Sequence, residues 1–261
     1  MIVPVAAPLE RLDEIRKRGF TIAPGIVSAD EVGDLKQSLE KAIAEDLNAW
    51  HGREYTDAHM VLNLMTRGMP FVRLLENDLL HAYLGPLLGD TCILYAYTSS
   101  SMPAGGTNYS RRVHVDCPRV IPNYITNVGV TIALDNFTNE NGAMELLPGS
   151  FTREQPPSED EFDEHSERAY PLAGDAIIFN ARTWHRGGVN RTSAYRHAVT
   201  MNVCRSYMRQ QFDYPRLVAP DVIGELGPLG RRFLGFNVRM PASLDEYYVP
   251  AEQRLYQPNQ G

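Results

Sequence analysis

Between residues 91 and 207 the sequence breaks into short runs rich in Val, Ile, Thr and aromatic residues, each closed by Gly, Pro, Asn or Ser. Runs of that length and texture read as strands. Many of them in series, joined by tight turns, restrict the chain to a closed or sandwiched antiparallel sheet. Residues 92–98 form the first run. Asn141-Gly142 is a turn signal ahead of a strand over 143–147, and Pro148-Gly149-Ser150 is the next turn. Gly174-Asp175 opens a strand over 176–180, and 195–207 is the last clear one. The run over 124–135 divides by parity. Tyr124, Val128, Val130, Ile132 and Leu134 share one face, and Asn127, Gly129, Thr131 and Ala133 share the other. The second set is small and polar enough to line a cavity.

The first ninety residues have another texture. Leu9, Leu12 and Ile15 fall at helical spacing, and Gly19 follows as a C-cap. A short strand over 20–23 comes next. Ser28 with Glu31 forms a capping box, after which Val32, Leu35, Leu39, Ile43 and Leu47 trace one face of a long helix. Residues 51–57 are polar and read as a loop. Leu74, Leu75, Leu79, Leu80, Tyr83 and Leu87 indicate one or two more helices over 71–88. The expected organisation is one domain over 1–261: a helical scaffold with a short strand to 90, a β core over 91–209, and a tail over 210–261. The acidic run over 155–168 reads as a solvated surface excursion. The tail, rich in Pro, Gly and aromatics, reads as irregular structure wrapped on the core or as a contact between subunits in a homo-oligomer.

A chain of 261 residues with 22% charged residues and a net charge of -7 is an ordinary globular composition that argues against a nucleic-acid footprint. No basic block suggests a membrane surface, no apolar run approaches bilayer length, and the N-terminus lacks a basic leader. Cys92, Cys117 and Cys204 are far apart without a C-x-x-C pair, so reduced thiols and a cytoplasmic setting are expected. Lys is absent after Lys41, so Arg carries the positive charge of the main body. Arg suits carboxylate or phosphate recognition.

The chemistry gathers at two stretches. If Val113-His114-Val115-Asp116 is a strand, His114 and Asp116 project from one face, one nitrogen and one oxygen ligand of the facial triad that holds non-haem iron. About seventy residues on, Trp184-His185-Arg186-Gly187-Gly188 offers a third ligand, His185, with glycines that let the backbone turn it back. His59, His81 and His197 read as structural or surface residues. Arg196 lies eleven residues beyond His185, and Thr200 shares its face at period two. A guanidinium aimed into a small-residue cavity is costly unless an anion meets it, and a dicarboxylate cofactor does so bidentately, with Thr200 adding a hydrogen bond.

In these residues the sequence resembles the phytanoyl-CoA dioxygenase family of Fe(II)/2-oxoglutarate oxygenases. The resemblance is carried by His114-Val115-Asp116, Asn141-Gly142, Leu147-Pro148-Gly149-Ser150, Gly174-Asp175 and the stretch from His185 through Asn190 to Arg196. The helices over 75–88 belong to it too, so it extends to about residue 209; the tail fits loosely and is where substrate information is expected. It implies a mainly β protein with flanking helices, a double-stranded β-helix (jelly-roll, cupin-like) packed against the N-terminal helices. It implies His114, Asp116 and His185 on iron and Arg196 on 2-oxoglutarate. The reaction it implies consumes 2-oxoglutarate and dioxygen, releases succinate and carbon dioxide, and usually hydroxylates a C–H bond of a small organic molecule. In related halogenases a small residue replaces the carboxylate, so Asp116 favours oxygenation.

Asn127 and Thr131 are candidates by parity for the near carboxylate of 2-oxoglutarate. Arg112, Tyr97 and Trp184 are substrate candidates, and Arg111, Arg112, Arg119, Arg182 and Arg186 near the ligands make an anionic substrate worth testing. Two rivals stay open at this point. A zinc hydrolase can use the same His/Asp/His set, although Arg196 then has no evident role, and a cupin-like binding module can keep the pocket without turnover.

Overall fold

The computed structural model describes residues 6–49 and 59–260; the loop expected over 51–57 lies outside them. Helix α1 (Leu9–Arg18) buries Leu12 and Ile15 and leaves Leu9 in solvent. It stops where Gly19 adopts a left-handed φ of 95° and returns its N–H to the Ile15 carbonyl. Strand β1 (Phe20–Ala23) follows. Helix α2 (Ala29–Ala49) starts at the expected capping box: the Glu31 carboxylate accepts from the Ser28 amide at 2.7 Å, and the Ser28 hydroxyl accepts from the Glu31 amide at 3.4 Å. Val32, Leu35, Leu39 and Ile43 are buried along it, whereas Leu47, in its last turn, is exposed. The apolar run over 71–88 resolves into two helices, α3 (Met69–Leu74) and α4 (Asp78–Leu88), the second capped by the Asn77 side chain.

The β region forms two antiparallel sheets. The larger has the order β1-β6-β3-β8-β2, with β2 at Ile93–Ser99, β3 at Asn127–Ala133, β6 at Ala176–Asn180 and β8 at Ala198–Cys204. The smaller has the order β5-β4-β7, with β4 at Met144–Leu146, β5 at Glu167–Ala169 and β7 at His185–Arg186. One face of the large sheet carries Val128, Val130, Ile132, Ile178 and Val203 into a core shared with Leu35, Leu39, Tyr83 and Leu84 of the helices. Its other face turns Ala133, Ile177, Phe179 and Ala198 towards Met144 and Leu146 of the small sheet. This is the double-stranded β-helix arrangement packed on N-terminal helices, and among the described residues no closed barrel forms.

Four local expectations need correction. The stretch 113–116 is not a strand: only His114 is paired, in a single antiparallel bridge to His185. The last strand is shorter than 195–207, and Arg196 precedes it in a bridge to Met102. Tyr124 lies outside β3 and is exposed. The acidic run is not merely solvated. Ser158 caps helix α5 (Glu159–His165), whose Phe162 is fully buried with Leu147 and Trp184, and β5 then joins the small sheet. One aromatic among acids is enough to fold such a run back when a pocket receives it.

The tail folds as short helices: α6 (Tyr214–Leu217), α7 (Pro220–Glu225), α8 (Pro228–Phe233) and α9 (Leu244–Tyr247). Tyr214, Val218, Leu226, Phe233 and Leu234 enter the same core as the N-terminal helices. Side chains fasten it further, with the Tyr214 hydroxyl donating to the Tyr95 carbonyl and the Gln210 amide to the Leu94 carbonyl. The three cysteines are buried and unpaired with one another. No described helix is long and apolar enough to cross a membrane.

Because Phe162 is the anchor of α5, Phe162→Ala should destabilise the protein by about 3 kcal/mol, a loss of roughly 10 °C in Tm. Thermal unfolding followed by circular dichroism checks it; a shift under about 2 °C would mean that α5 is held by its surface charges instead.

Candidate metal centre

The site begins with one backbone pair. His114 and His185 exchange both amide–carbonyl hydrogen bonds, each 3.0 Å, and their ring centroids stand 4.3 Å apart. Side-chain alternation survives here without a regular strand. Val113 and Val115 pack with Trp184, Leu147 and Phe162 on one side, which turns His114 and Asp116 to the other. The same alternation sends Trp184 outward into that cluster and His185 inward. Asp116 is held because the Ala181 carbonyl accepts from the amides of Asp116 (2.9 Å) and Cys117 (3.1 Å). The Arg182 guanidinium donates to the Cys117 carbonyl at 3.1 Å.

Three donors converge. Asp116 Oδ1 lies 3.6 Å from His114 Nε2 and 3.7 Å from His185 Nε2, and the three ligand atoms fall within 4.8 Å of one another. Among the described residues this is the one such cluster of three. Each imidazole is oriented from behind: His114 Nδ1 meets the Arg112 carbonyl at 2.7 Å, and His185 Nδ1 meets the Thr183 carbonyl at 2.9 Å. A carbonyl partner fixes the proton on Nδ1 and leaves the Nε2 lone pair facing the cluster. Burial pushes the His185 pKa down to about 4, so the ring is neutral at pH 7. Burial also works against the charge on His114, but Asp116 beside it prevails and raises that pKa. For Asp116, burial is outweighed by the facing imidazoles, and its pKa falls below the ordinary carboxylate value. Lone pairs on two nitrogens and an ionised carboxylate are the donors a divalent ion needs.

The cluster opens into a cavity of about 300 Å³ between the two sheets. Thr98, Thr200 and Thr131 cross it as neighbours on β2, β8 and β3. The Thr98 and Thr200 hydroxyls lie 2.7 Å apart. Gly129 allows the Phe179 ring into the wall, since a Cβ there would sit 2.1 Å from that ring, and Phe179 in turn packs edge-on against His185 at 4.9 Å.

Arg196 closes one end of the cavity. It is only 2% exposed, and its guanidinium stands 4.2 Å over the Phe137 ring. Its terminal nitrogens donate to the carbonyls of Ser100 and Gly142, both at 3.2 Å, and its Nε has no partner. No described carboxylate forms an ion pair with it. Burial pushes its pKa down to about 10, which leaves it charged at pH 7. Tyr109 and Asp135 favour its charge only from beyond ion-pair distance, so the buried cation is incompletely compensated by the groups around it.

The remaining candidates divide. Thr200 and Thr131 line the cavity; Asn127 does not, and instead donates to Asn202 Oδ1 at 2.8 Å. Asn202 is the residue that reaches the cavity, and it shares the parity of Thr200, a signal present in the sequence. Tyr97 is a correction: its hydroxyl donates to the Phe71 carbonyl inside the helical core, because Thr98, one position on, takes the inward face. Trp184 is a second correction, since it faces the α5 cluster. Arg112 sends its carbonyl to His114, while its side chain lines an outer groove. The far end of the cavity includes Tyr95 and Gln211, the latter tied by its amide to the Tyr95 carbonyl at 3.0 Å. His59, His81 and His197 lie outside the cluster, as expected. His81 Nε2 meets the Leu75 carbonyl and packs on Phe233, and His197 bonds Ser101.

Comparison with known proteins places these residues in context. The model of the phytanoyl-CoA dioxygenase (PhyH) family matches residues 15–198. An uncharacterized protein of Mycobacterium tuberculosis is 32% identical over 207 residues, which is 77% of this chain and 76% of that protein. A dioxygenase of Alternaria alternata is 26% identical over 261 residues, covering 88% of this chain and 83% of its own. Among solved structures, the non-haem monooxygenase ThoJ superposes with a TM-score of 0.64 at 16% identity, covering 77% of this chain and 79% of its own. A non-haem α-ketoglutarate-dependent carbocyclase of nogalamycin biosynthesis gives 0.62 at 18% identity, covering 82% and 92%. At such identities the structural likeness establishes the fold.

Proposed function

The chain belongs to the phytanoyl-CoA dioxygenase family, and from that footing we propose that it is a non-haem iron, 2-oxoglutarate-dependent dioxygenase that hydroxylates a C–H bond of a small organic molecule. The observation that carries this reading is Arg196, a buried guanidinium without a protein carboxylate at one end of the cavity that His114, Asp116 and His185 line. The donor set fits Fe(II), and the unpaired cation fits a diacid.

His114, Asp116 and His185 would hold Fe(II), with both imidazoles already fixed in the tautomer that presents Nε2. When bound, Fe(II) together with 2-oxoglutarate and dioxygen supplies a two-electron oxidation, in which one oxygen atom enters the substrate and the other enters succinate as carbon dioxide leaves. Arg196 pairs with the far carboxylate of 2-oxoglutarate, with Thr200 adding a hydroxyl beside it and Thr131 on the neighbouring strand. Phe179 and Met144 keep that wall apolar and limit water around the ligands. The Asp116 carboxylate fills the third ligand position, which supports oxygen transfer over halide transfer.

A zinc hydrolase on the same three donors leaves Arg196 without a task, and a binding module without turnover has no need of a carboxylate set against two imidazoles that present Nε2 to one point. The oxygenase uses every group.

Two measurements test the reading. Purified protein with Fe(II), ascorbate and 2-oxoglutarate should produce succinate, and Asp116→Ala should reduce that to background together with a loss of Fe(II) affinity of about tenfold or more; normal turnover in the variant would remove the ligand assignment. Arg196→Ala, which deletes a charged bidentate contact, should raise the 2-oxoglutarate requirement by about tenfold to a hundredfold. Fe(II) binding should hardly change, so an unaltered 2-oxoglutarate dependence would show that Arg196 has another partner.

A further inference from the structure

On the outer side of the small sheet, a second depression of about 200 Å³ is lined by Arg111, Arg168, Arg186 and Arg191 around Glu145. Four arginines and one carboxylate line it, in a chain whose net charge is -7. The carboxylate is already used. Glu145 is 6% exposed, and its two oxygens accept from Arg168 Nε at 3.0 Å and Arg186 Nε at 2.6 Å. Arg186 is further fixed by Asp163 at 2.5 Å and by the Phe162 ring, 4.9 Å from its guanidinium carbon. Arg168 also donates to Asn139 at 2.7 Å. Glu145 therefore acts as the floor that holds two arginines in place.

The other two are uncommitted. The Arg111 side chain makes no hydrogen bond or ion pair with a described residue, and Arg191 only acts on Glu140 from beyond ion-pair distance. Arg111 and Arg186 also line a neighbouring groove with Arg112, Tyr109 and one carboxylate, Glu159, which forms no ion pair with a described arginine, and Tyr109 in turn lines the metal cavity. The depression thus continues along the segment 109–112 to within two residues of His114.

We propose that this depression is a binding site for a phosphate-type dianion, a phosphate ester or diphosphate, held by the guanidinium forks of Arg111 and Arg191 above the Glu145-braced Arg168 and Arg186. Two fixed and two free guanidinium groups at one concave surface exceed what a single carboxylate of a ligand needs and match an oxyanion with several acceptor edges. Its link through residues 109–112 to the metal cavity suits an anionic handle on the substrate, which is the only respect in which the proposal rests on the oxygenase reading; a free anion would meet the same groups.

Calorimetric titration of the full chain with pyrophosphate near physiological salt tests it. One saturable site is expected, at least tenfold weaker in the Arg111→Ala/Arg191→Ala double variant, which should keep the wild-type Tm. Arg111→Lys/Arg191→Lys should retain part of the affinity, having kept charge but lost the fork, and Arg119→Ala, outside the depression, should match wild type. If pyrophosphate changes substrate-independent succinate formation no more in wild type than in the Arg111→Ala/Arg191→Ala variant, the handle source is supported; if it alters that rate in wild type beyond the iron-chelation effect seen in the double variant, the free-anion source is. Absence of saturable binding, or equal binding in the double alanine variant, overturns the site. A parallel titration with 2-oxoglutarate separates the two readings, because a failed Arg196 pocket leaves pyrophosphate binding untouched and a failed depression leaves 2-oxoglutarate binding untouched.

Discussion

The paired backbone bonds between His114 and His185 are the constraint on which the site depends. They join two stretches separated by seventy residues with two 3.0 Å contacts, and every other element of the centre follows from that registration. Once these residues are opposite, alternation decides which side chains converge: Val113, Val115 and Trp184 point to one side, His114, Asp116 and His185 to the other. The apolar side is therefore as necessary as the ligating one. Leu147 and Phe162 receive the valines and the tryptophan, and a regular strand is not required because burial of that side does the work of a ladder.

Arg196 represents the opposite kind of investment. Packing a guanidinium beneath the sheets with only two carbonyls and a phenyl face for company costs stability, on the order of a few kcal/mol for an imperfectly compensated buried ion. Ser100, Gly142 and Phe137 offset part of that cost and hold the group in one orientation. The same incomplete compensation is what fits the group to an anion in the proposed function. Arg182, also buried and also met by carbonyls, does a different job, since it closes the loop behind Asp116.

Much of this is legible in the amino-acid sequence. The convergence of His114, Asp116 and His185 is legible because a divalent ion needs particular donor atoms, and Arg196 draws notice because a cation amid small residues demands a partner. The helix caps at Ser28 and Gly19 were legible because they are local chemistry. Errors arose where a choice between two faces depended on distant packing. Tyr97 and Thr98 both suit a strand, and only the Phe71 carbonyl on the helical side decides which turns inward. Asn127 has the right parity for the cavity but is taken up by Asn202 across the ladder. Phe162 looked like one apolar residue in an acidic surface run because its receiving pocket is built from Leu147 and Trp184, far away in sequence.

Part of the cavity wall comes from beyond the stretch of chain that carries the three candidate metal donors. All three donors lie within the stretch that matches the family, residues 15–198, whereas Thr200, Asn202 and Gln211 lie after it. Gln211 reaches the wall only because its own amide is hooked to the carbonyl of Tyr95, with Tyr214 and Gln210 pinned to the same strand beside it. A replaced or lengthened C-terminal arm would thus recarve the room in which a guest sits while the oxidising machinery stays as it was, so diversification of guests needs no invention at the ion.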